Sequence, residues 1–298
     1  MAVGPYGALL ESVRGVRWPA RRPVMGGAPG AHPAHMRGVA SEFAEYRPYR
    51  QGDDPRRLDW KLLARSDRAF IRLAPARAVL GTLLAVDASA SMAFAVENDR
   101  GPGGQDWTKW RAAREIAVAC AAVAHAGGDP VGLAVAAKDG IARLSPRTRR
   151  GVVAEIARTL DVSVPAGSAS LAGAFVGAPA RILLVTDCLG DLEGIRRAAR
   201  AHVAAGGEVY VVHVVARAEL EPPRAAMLAT DPEDASTARA LTAATRGGYR
   251  AAFDAWRGEV ARAWRDDGVA YHETVDDQPA DVLVRRLVAL VGEGAQRT

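Results

Sequence analysis

The chain lacks the features on which most secreted and zinc-dependent proteins are recognised. Its 298 residues include only two cysteines, Cys120 and Cys188, with no C-x-x-C pair and no Cys/His cluster at zinc spacing. A disulfide-stabilised fold is therefore not expected. The longest apolar runs, such as residues 208–216, are too short to span a bilayer, and residues 1–23 contain no apolar stretch typical of a secretory signal. We expect a cytoplasmic protein without a membrane span.

The common enzyme signatures are also missing. The sequence contains no G-x-S-x-G elbow for a serine nucleophile. It has no G-x-x-x-x-G-K-[ST] phosphate loop and no G-x-G-x-x-G fingerprint after a strand. These absences favour a protein that is not an enzyme and that binds no nucleotide through its own residues.

Charge is unevenly distributed along the chain. The formal net charge is +5, but residues 1–80 hold 14 Arg/Lys against 7 Asp/Glu. Such a basic region can bind nucleic acid. Acidic residues are interleaved with the basic ones over residues 41–68, however, and no nucleic-acid module signature is present. We therefore expect internal ion pairs or a protein-facing surface, and no nucleic-acid partner.

From residue 80 onward, continuous apolar strands alternate with amphipathic helices. Strands are predicted at 79–87, 130–137, 180–187 and 208–216, with helices at 107–129 and 192–207 between them. This order predicts an α/β fold with a mainly parallel sheet covered by helices on both faces. Residues 1–79, which are rich in turn signals, are predicted to form an irregular, partly β N-terminal extension preceding a second domain at 80–298.

Oxygen-bearing side chains follow two of the predicted strands. Asp87 ends the strand "LLAVD" and leads to Ser89 and Ser91, while Asp187 ends "ILLVTD". Ligands of open α/β sheets bind beyond the carboxyl ends of the strands, so neighbouring strands would bring these groups together. Two carboxylates and two hydroxyls are the ligand type of Mg²⁺ or Mn²⁺. The alternative is an ordinary strand-to-helix turn with a capping residue.

The pattern Asp87, Ser89, Ser91 and Asp187 resembles the metal-ion-dependent adhesion site of von Willebrand factor A domains. That site also uses a Thr in a stretch like Gly-x-Thr-x-Leu, which here reads "GSASL" and places Ala169 at the Thr position. Ser168 or Ser170 is the candidate replacement. The resemblance implies a von Willebrand factor A-like, Rossmann-like sheet and a binding site completed by a partner's acidic residue, with Asp187 acting through water. Because of Ala169, the sequence leaves metal occupancy open.

Residues 41–73, "SEFAEYRPYRQGDDPRRLDWKLLARSDRAFIRL", resemble the signature of domain-of-unknown-function family 58. The resemblance continues through "DASASMAF", "GGDPVGLAV" and "GVAYHETVDDQP". After "IRL" the chain reads "APARA", where that family tends to carry acids. The resemblance implies an adaptor or chaperone-like module that acts with a MoxR-type AAA+ ATPase on a client protein.

Two other functions stay open at this point. One is a metal-dependent hydrolase that uses Asp87 and Asp187, although no general base is recognisable near them in the sequence. The other is nucleic-acid binding through the basic first 80 residues. We also expect the segment "GDDPRRLDW", residues 52–60, to dock onto the second domain, with Tyr46 and Trp60 as anchors.

Overall fold

The structure of the protein is a computed structural model that describes most of the chain. The described residues are 5–21, 29–38, 45–51, 53–66, 68–100, 106–168, 170–224, 227–230, 236–275 and 278–295. Ala169, at the predicted Thr position, lies outside them.

The N-terminal part combines short helices with a small antiparallel sheet. Its elements are α1 (Gly7–Ser12), β1 (Pro29–Gly38), β2 (Glu45–Pro48), a 3-10 turn (Pro55–Arg57), α2 (Trp60–Ser66) and β3 (Phe70–Ala78). The three strands pair in the order β1-β3-β2. The partly β character expected for this part of the chain is confirmed.

The remainder of the chain alternates strands and helices. Its elements are β4 (Thr82–Asp87), a 3-10 helix (Ala90–Ala93), β5 (Ala95–Arg100), β6 (Asp106–Thr108), α3 (Lys109–Ala126), β7 (Val131–Ala137), β8 (Gly140–Arg147), α4 (Val152–Val162), a 3-10 helix (Leu171–Phe175), β9 (Arg181–Thr186), α5 (Leu192–Ala204), β10 (Glu208–Val215), α6 (Arg217–Leu220), β11 (Met227–Thr230), β12 (Ala238–Leu241), α7 (Ala243–Asp266), β13 (Ala270–Val275) and α8 (Ala280–Ala295).

Six of these strands form the central sheet, in the order β13-β10-β9-β4-β7-β8. The first five are mutually parallel, and β8 joins β7 as an antiparallel edge strand. The predicted α/β fold with a mainly parallel sheet is confirmed. Its strands are buried on both faces because helices cover each side, which explains why β4, β9 and β10 read as continuous apolar runs.

The core lies on the two faces of this sheet. On one face, Leu84 and Val86 of β4 belong to a cluster with buried residues of α3, α4 and α8. On the other face, Leu83 and Ala85 belong to a cluster with α5, α7 and the 3-10 helix Leu171–Phe175. The alternation along β4 follows the two-residue period of a strand.

Residues 5–21 pack into the core of the central sheet. Tyr6, Val13 and Trp18 are buried in the same cluster as α3 and α8. The guanidinium of Arg181, at the start of β9, lies 4.5 Å from the Trp18 ring centre and donates to the Pro19 carbonyl at 2.8 Å. The start of the N-terminal extension is thus fixed to the sheet, while the boundary near residue 79 stays a prediction.

Trp60 does not anchor the signature segment to the central sheet as expected. It begins the short helix α2, and 64% of its surface is exposed. Seven residues give α2 about two turns, in which Leu62 and Leu63 are half-buried while Trp60 is exposed. The side chain of Tyr46 lies outside the described residues.

Several helix boundaries differ from those predicted. Helix α3 begins at Lys109 because the Thr108 hydroxyl caps it by accepting a hydrogen bond from the Arg111 amide. Helix α7 is continuous over 24 residues through Gly247 and Gly248. A glycine costs only about 1 kcal/mol inside a helix. A hydroxyl cap at Thr242 and the stacked rings further along the helix offset that cost.

No helix among the described residues is long and apolar enough to cross a membrane.

Candidate functional site

The carboxyl ends of β4 and β9 form the centre of the candidate site. From β4 the chain passes through α3 to β7 on one side, whereas β9 leads through α5 to β10 on the other side. The direction of strand order therefore reverses between these two neighbours, which is where open α/β sheets bind ligands. Asp87 is the last residue of β4, and Asp187 directly follows β9. The structure thus places both predicted acids at one edge of the sheet.

The carboxylate of Asp87 is buried and fixed at both oxygens. Oδ1 accepts a hydrogen bond from the Ser89 amide at 2.9 Å, and Oδ2 accepts one from the Thr186 hydroxyl at 2.7 Å. Burial, together with the negative charge of Asp187, raises the pKa of Asp87 to about 6. Thr186 was not among the predicted site residues, although its position just before Asp187 on β9 is the available signal.

Ser89 and Ser91 also reach this position. Both residues are buried, and their hydroxyl oxygens lie 3.1 Å apart and share a hydrogen bond. Ser89 stands at the N-cap of the 3-10 helix Ala90–Ala93, but its side chain makes no capping hydrogen bond. The simple capping role considered for this serine is therefore not seen. Its hydroxyl is turned toward Ser91 instead.

The loop before Leu171 runs beside the Asp87 turn. The Ala90 amide donates to the Gly167 carbonyl at 2.8 Å, and the Ala166 amide donates to the Ala88 carbonyl at 2.9 Å. Gly167 has a φ of +65°, and a Cβ there would lie 2.5 Å from the Lys138 Cβ. Only glycine fits this close, left-handed position without strain. These contacts hold Ala166 and Gly167 against the turn that follows Asp87.

The two serines of this loop have different environments. Ser168 is exposed. The Ser170 hydroxyl donates to Asp191 Oδ2 at 2.6 Å and accepts from the Ala172 amide, so it is engaged at the start of α5 and of the following 3-10 helix. The structure does not bring Ser170 to Asp87, and the replacement of the missing Thr by either serine stays a prediction.

Asp187 has a cationic partner that sequence reasoning missed. The ammonium of Lys109, a residue only 1% exposed, lies 3.1 Å from Asp187 Oδ2 and 2.6 Å from Glu219 Oε1. The Leu189 amide donates to the other Asp187 oxygen at 3.2 Å. Burial lowers the pKa of Lys109, but the two carboxylates outweigh it and the pKa is raised, so the ammonium stays charged.

A sequence signal for Lys109 does exist. It is the first residue of α3, and Lys109, Ala113, Ala117 and Cys120 repeat at the three- and four-residue spacing of the buried helix face. A lysine on such a face is rarely buried without a partner. Its position therefore indicates a carboxylate within the fold.

Two apolar side chains stand at the rim. Phe94 follows the 3-10 helix and is 37% exposed, with its ring centre 5.6 Å from the Lys109 ammonium. Leu189 is 41% exposed and follows Cys188, which has a φ of +60°. This left-handed turn brings the Leu189 amide back to Asp187. Burial raises the pKa of the Cys188 thiol, so it is not a reactive group at neutral pH.

The donor set fits a small hard cation through three residues. Each oxygen of Asp87 accepts one of about two possible bonds, and each serine hydroxyl retains a lone pair beyond the bond the two share. Asp187 is less available to a cation, because its Oδ2 already accepts a hydrogen bond from Lys109 and its Oδ1 accepts one from the Leu189 amide. Among the described residues, no group of three or more His, Cys, Asp or Glu is arranged to hold a metal, so a cation here depends on the serine hydroxyls.

Comparison with known proteins gives relatives without an assigned activity. The uncharacterized protein Rv1480 of Mycobacterium tuberculosis (strain ATCC 25618 / H37Rv) is 29% identical over 282 residues, covering 89% of this chain and 84% of the relative. The conserved hypothetical protein BatB from Bacteroides thetaiotaomicron matches 72% of this chain and 99% of its own, at 15% identity and a TM-score of 0.44. The SpRpn10 VWA domain matches 69% and 94%, at 13% identity and a TM-score of 0.40. None of these names states an enzymatic activity.

One protein family spans both the signature segment and the candidate site. The match covers residues 45–259, which is more than half of the chain and includes β4, β9 and Lys109. The resemblance seen in the sequence is thereby confirmed: the chain belongs to the family described as "Protein of unknown function DUF58".

Proposed function

We propose that this protein is a protein-interaction module whose site binds Mg²⁺ or Mn²⁺ and, through that cation, an acidic residue of a partner. The observation that supports it is the convergence of Asp87, Ser89 and Ser91 as buried oxygen donors where the strand order reverses. Asp87, Ser89 and Ser91 would hold the cation directly, and Asp187 would act through water. The cation would supply a Lewis-acidic position for the partner's carboxylate.

Each residue of the site has a separate task in this proposal. Thr186 and the Ser89 amide orient the two Asp87 oxygens, which fixes the carboxylate without a large entropic cost on binding. The bonds from Ala90 to Gly167 and from Ala166 to Ala88 hold the neighbouring loop in place. The chain therefore presents a largely formed site.

The partner would contact the apolar rim as well as the cation. Phe94, whose ring lies near the Lys109 ammonium, and Leu189, whose amide bonds Asp187, are both partly exposed. Interfaces derive most of their affinity from buried apolar anchors surrounded by polar groups. An acidic residue next to an apolar one on the partner fits this arrangement. A MoxR-type AAA+ ATPase and its client are the proposed partners, on the basis of the sequence resemblance, and the cytoplasmic location stays a prediction.

The alternative functions have less support. A hydrolase needs a general base near the acids. The described groups that hydrogen-bond Asp87 and Asp187 are hydroxyls, backbone amides and Lys109, whose raised pKa makes it a poor base. His213 is near enough to interact with the charge of Asp187, but its Nδ1 is bonded to the Tyr271 hydroxyl and burial lowers its pKa to about 4. Nucleic-acid binding through residues 1–80 stays a prediction without a structural observation in its favour.

Calorimetric titration with Mg²⁺ and with Mn²⁺ tests the proposal. We expect the wild type to bind one cation and Asp87→Ala to lose affinity by at least about 100-fold, since residues that only orient a ligand already account for about 10–100-fold. Asp139→Ala is the matched control. Asp139 is an exposed acid in the turn that follows β7 at the same edge of the sheet, and its loss should leave binding unchanged. Absence of binding by the wild type, or equal losses in both variants, would refute the metal site.

A further inference from the structure

Lys109 places a fixed positive charge inside the candidate cation site. Its ammonium bonds Asp187 and Glu219, and its side chain is only 2% exposed. Burying an ammonium costs several kcal/mol unless well-placed partners compensate it. A lysine buried this deeply therefore needs both carboxylates as partners, and its ammonium bonds both of them.

The ammonium bonds the same carboxylate, Asp187, that is assigned to the divalent cation. Asp187 Oδ2 accepts from Lys109, and Oδ1 accepts from the Leu189 amide. Asp187 and Asp87 are close enough that the charge of one raises the pKa of the other. With its carboxylates ionised, the set Asp87, Asp187 and Glu219 carries three negative charges, of which Lys109 neutralises one. A cation bound at Asp87 would be repelled by the Lys109 ammonium. It would also be attracted less strongly by Asp187, because Lys109 neutralises part of that charge.

Glu219 holds the ammonium from the opposite side. Its Oε1 accepts from Lys109, while its Oε2 accepts from the Ala216 amide at 2.8 Å at the start of α6. The carboxylate is thus fixed by its own helix cap. Lys109 consequently bridges two rigid anchors and cannot swing away without breaking both contacts.

We propose that Lys109 acts as a built-in counter-cation that competes with divalent metal for Asp187 and keeps the metal affinity of the site low. This inference rests on the proposed function, because the metal that competes with Lys109 for Asp187 is the cation bound by Asp87, Ser89 and Ser91. It assigns to Lys109 the role of a specificity-determining residue. Replacing the ammonium by an uncharged group of similar size leaves Asp187 free to attract the metal and raises the affinity.

The test compares Lys109→Met with Lys109→Arg in Mg²⁺ and Mn²⁺ titrations at pH 7.5, with thermal unfolding followed by circular dichroism. We expect Lys109→Met to bind Mn²⁺ at least about tenfold more tightly than wild type, because one repelling charge at short range is removed. Lys109→Arg retains the charge and should bind as weakly as wild type. Arg111→Met is the control on the same helix, since Arg111 also loses a positive charge there but pairs with Glu115, at 2.9 Å, and is partly exposed.

Stability gives an independent measurement. Without metal, Lys109→Met leaves Asp187 and Glu219 uncompensated and should melt at a lower temperature than wild type. Added Mg²⁺ should raise its melting temperature more than that of wild type, and this gain should vanish in the double variant with Asp87→Ala. If Lys109→Met is unfolded without metal, folding on addition of Mg²⁺ is the expected result, and failure to fold would overturn the inference.

The outcomes separate this inference from the proposed function. Binding by wild type with no tighter binding by Lys109→Met overturns the role of Lys109 and leaves the metal site standing. Binding by Lys109→Met alone, dependent on Asp87, supports the competition and refutes metal use by the wild type. Absence of binding in both overturns both.

Discussion

Trp18 gives a direct test of how the N-terminal segment contributes to stability. The residue is 3% exposed, its ring meets the Tyr210 ring edge-to-face at 5.1 Å, and the Arg181 guanidinium lies 4.5 Å from its centre. Trp18→Ala removes these contacts and leaves a cavity between the segment and the sheet. The loss should therefore be felt by the whole α/β core, not only by the segment.

The magnitude follows from the buried area. A buried tryptophan removes about 150–250 Å² from water, which is worth about 4–6 kcal/mol at about 25 cal/mol per Å². Measured Trp→Ala changes in cores cost about 3–5 kcal/mol. We expect the free energy of unfolding to fall by about 4 kcal/mol. With a urea m-value of about 3 kcal/mol/M, the unfolding midpoint falls by more than about 1 M.

Urea unfolding followed by circular dichroism measures this loss, and the chain supplies its own control. Trp60 lies in the same N-terminal part but is 64% exposed, so Trp60→Ala should change the free energy of unfolding by no more than about 0.5 kcal/mol. A loss below about 1 kcal/mol for Trp18→Ala, or equal losses for the two variants, would show that residues 5–21 do not belong to the core.

Two further predictions concern pH and backbone geometry. Burial lowers the pKa of His213 to about 4, so the unfolded state takes up the proton first and stability is lost as pH falls from about 6.5 toward 4, by about 2 kcal/mol at pH 5. Asp87, with its pKa raised to about 6, changes stability in the opposite direction over this pH range. Urea unfolding of wild type and of His213→Gln should therefore be compared at each pH. Equal pH profiles of stability would contradict the lowered pKa of His213. Gly167→Ala should cost more stability than Gly177→Ala and weaken Mn²⁺ binding. Both glycines have a φ near +65°, but only at Gly167 would a Cβ meet Lys138 at 2.5 Å, and equal thermal shifts would show that this contact relaxes freely.

The strands of the central sheet could be predicted because strands buried on both faces appear in the sequence as continuous apolar runs. β9 and β10 were placed within one residue of their observed ends, since every position in them is buried. Weakly apolar pairs such as β5 with β6 and β11 with β12 were missed. All described residues of β11 are exposed, so no apolar pattern marks that strand.

Helix boundaries were less predictable because they depend on side-chain geometry. The helix predicted at 107–129 spans only Lys109–Ala126, because the Thr108 hydroxyl caps its first turn. For α7, stacking of Phe253 between Tyr249 and Trp256 supports a helix whose three glycines lower its local helix propensity. Such contacts arise from tertiary packing, which outweighs local propensity.

The acids and serines of the candidate site could be predicted, whereas their charge partner could not. Asp87 and Asp187 end buried strands, so their position follows from the order of the sheet. Lys109 and Glu219 lie 110 residues apart and meet only because α3 and α6 both start at the carboxyl edge. Single-residue patterns do not contain that pairing.

The ion pairs of Arg181 lie at the other end of the sheet from the candidate site. Arg181 bonds Asp129 and Glu208, which stand at the amino ends of β7 and β10, while Asp187 lies beyond the opposite end of β9. Six residues of strand separate the two clusters by roughly 20 Å. Substitutions more than about 10 Å apart usually have additive effects. The loops of the candidate site can therefore be exchanged or redesigned on this sheet while the ion pairs at its amino end stay intact.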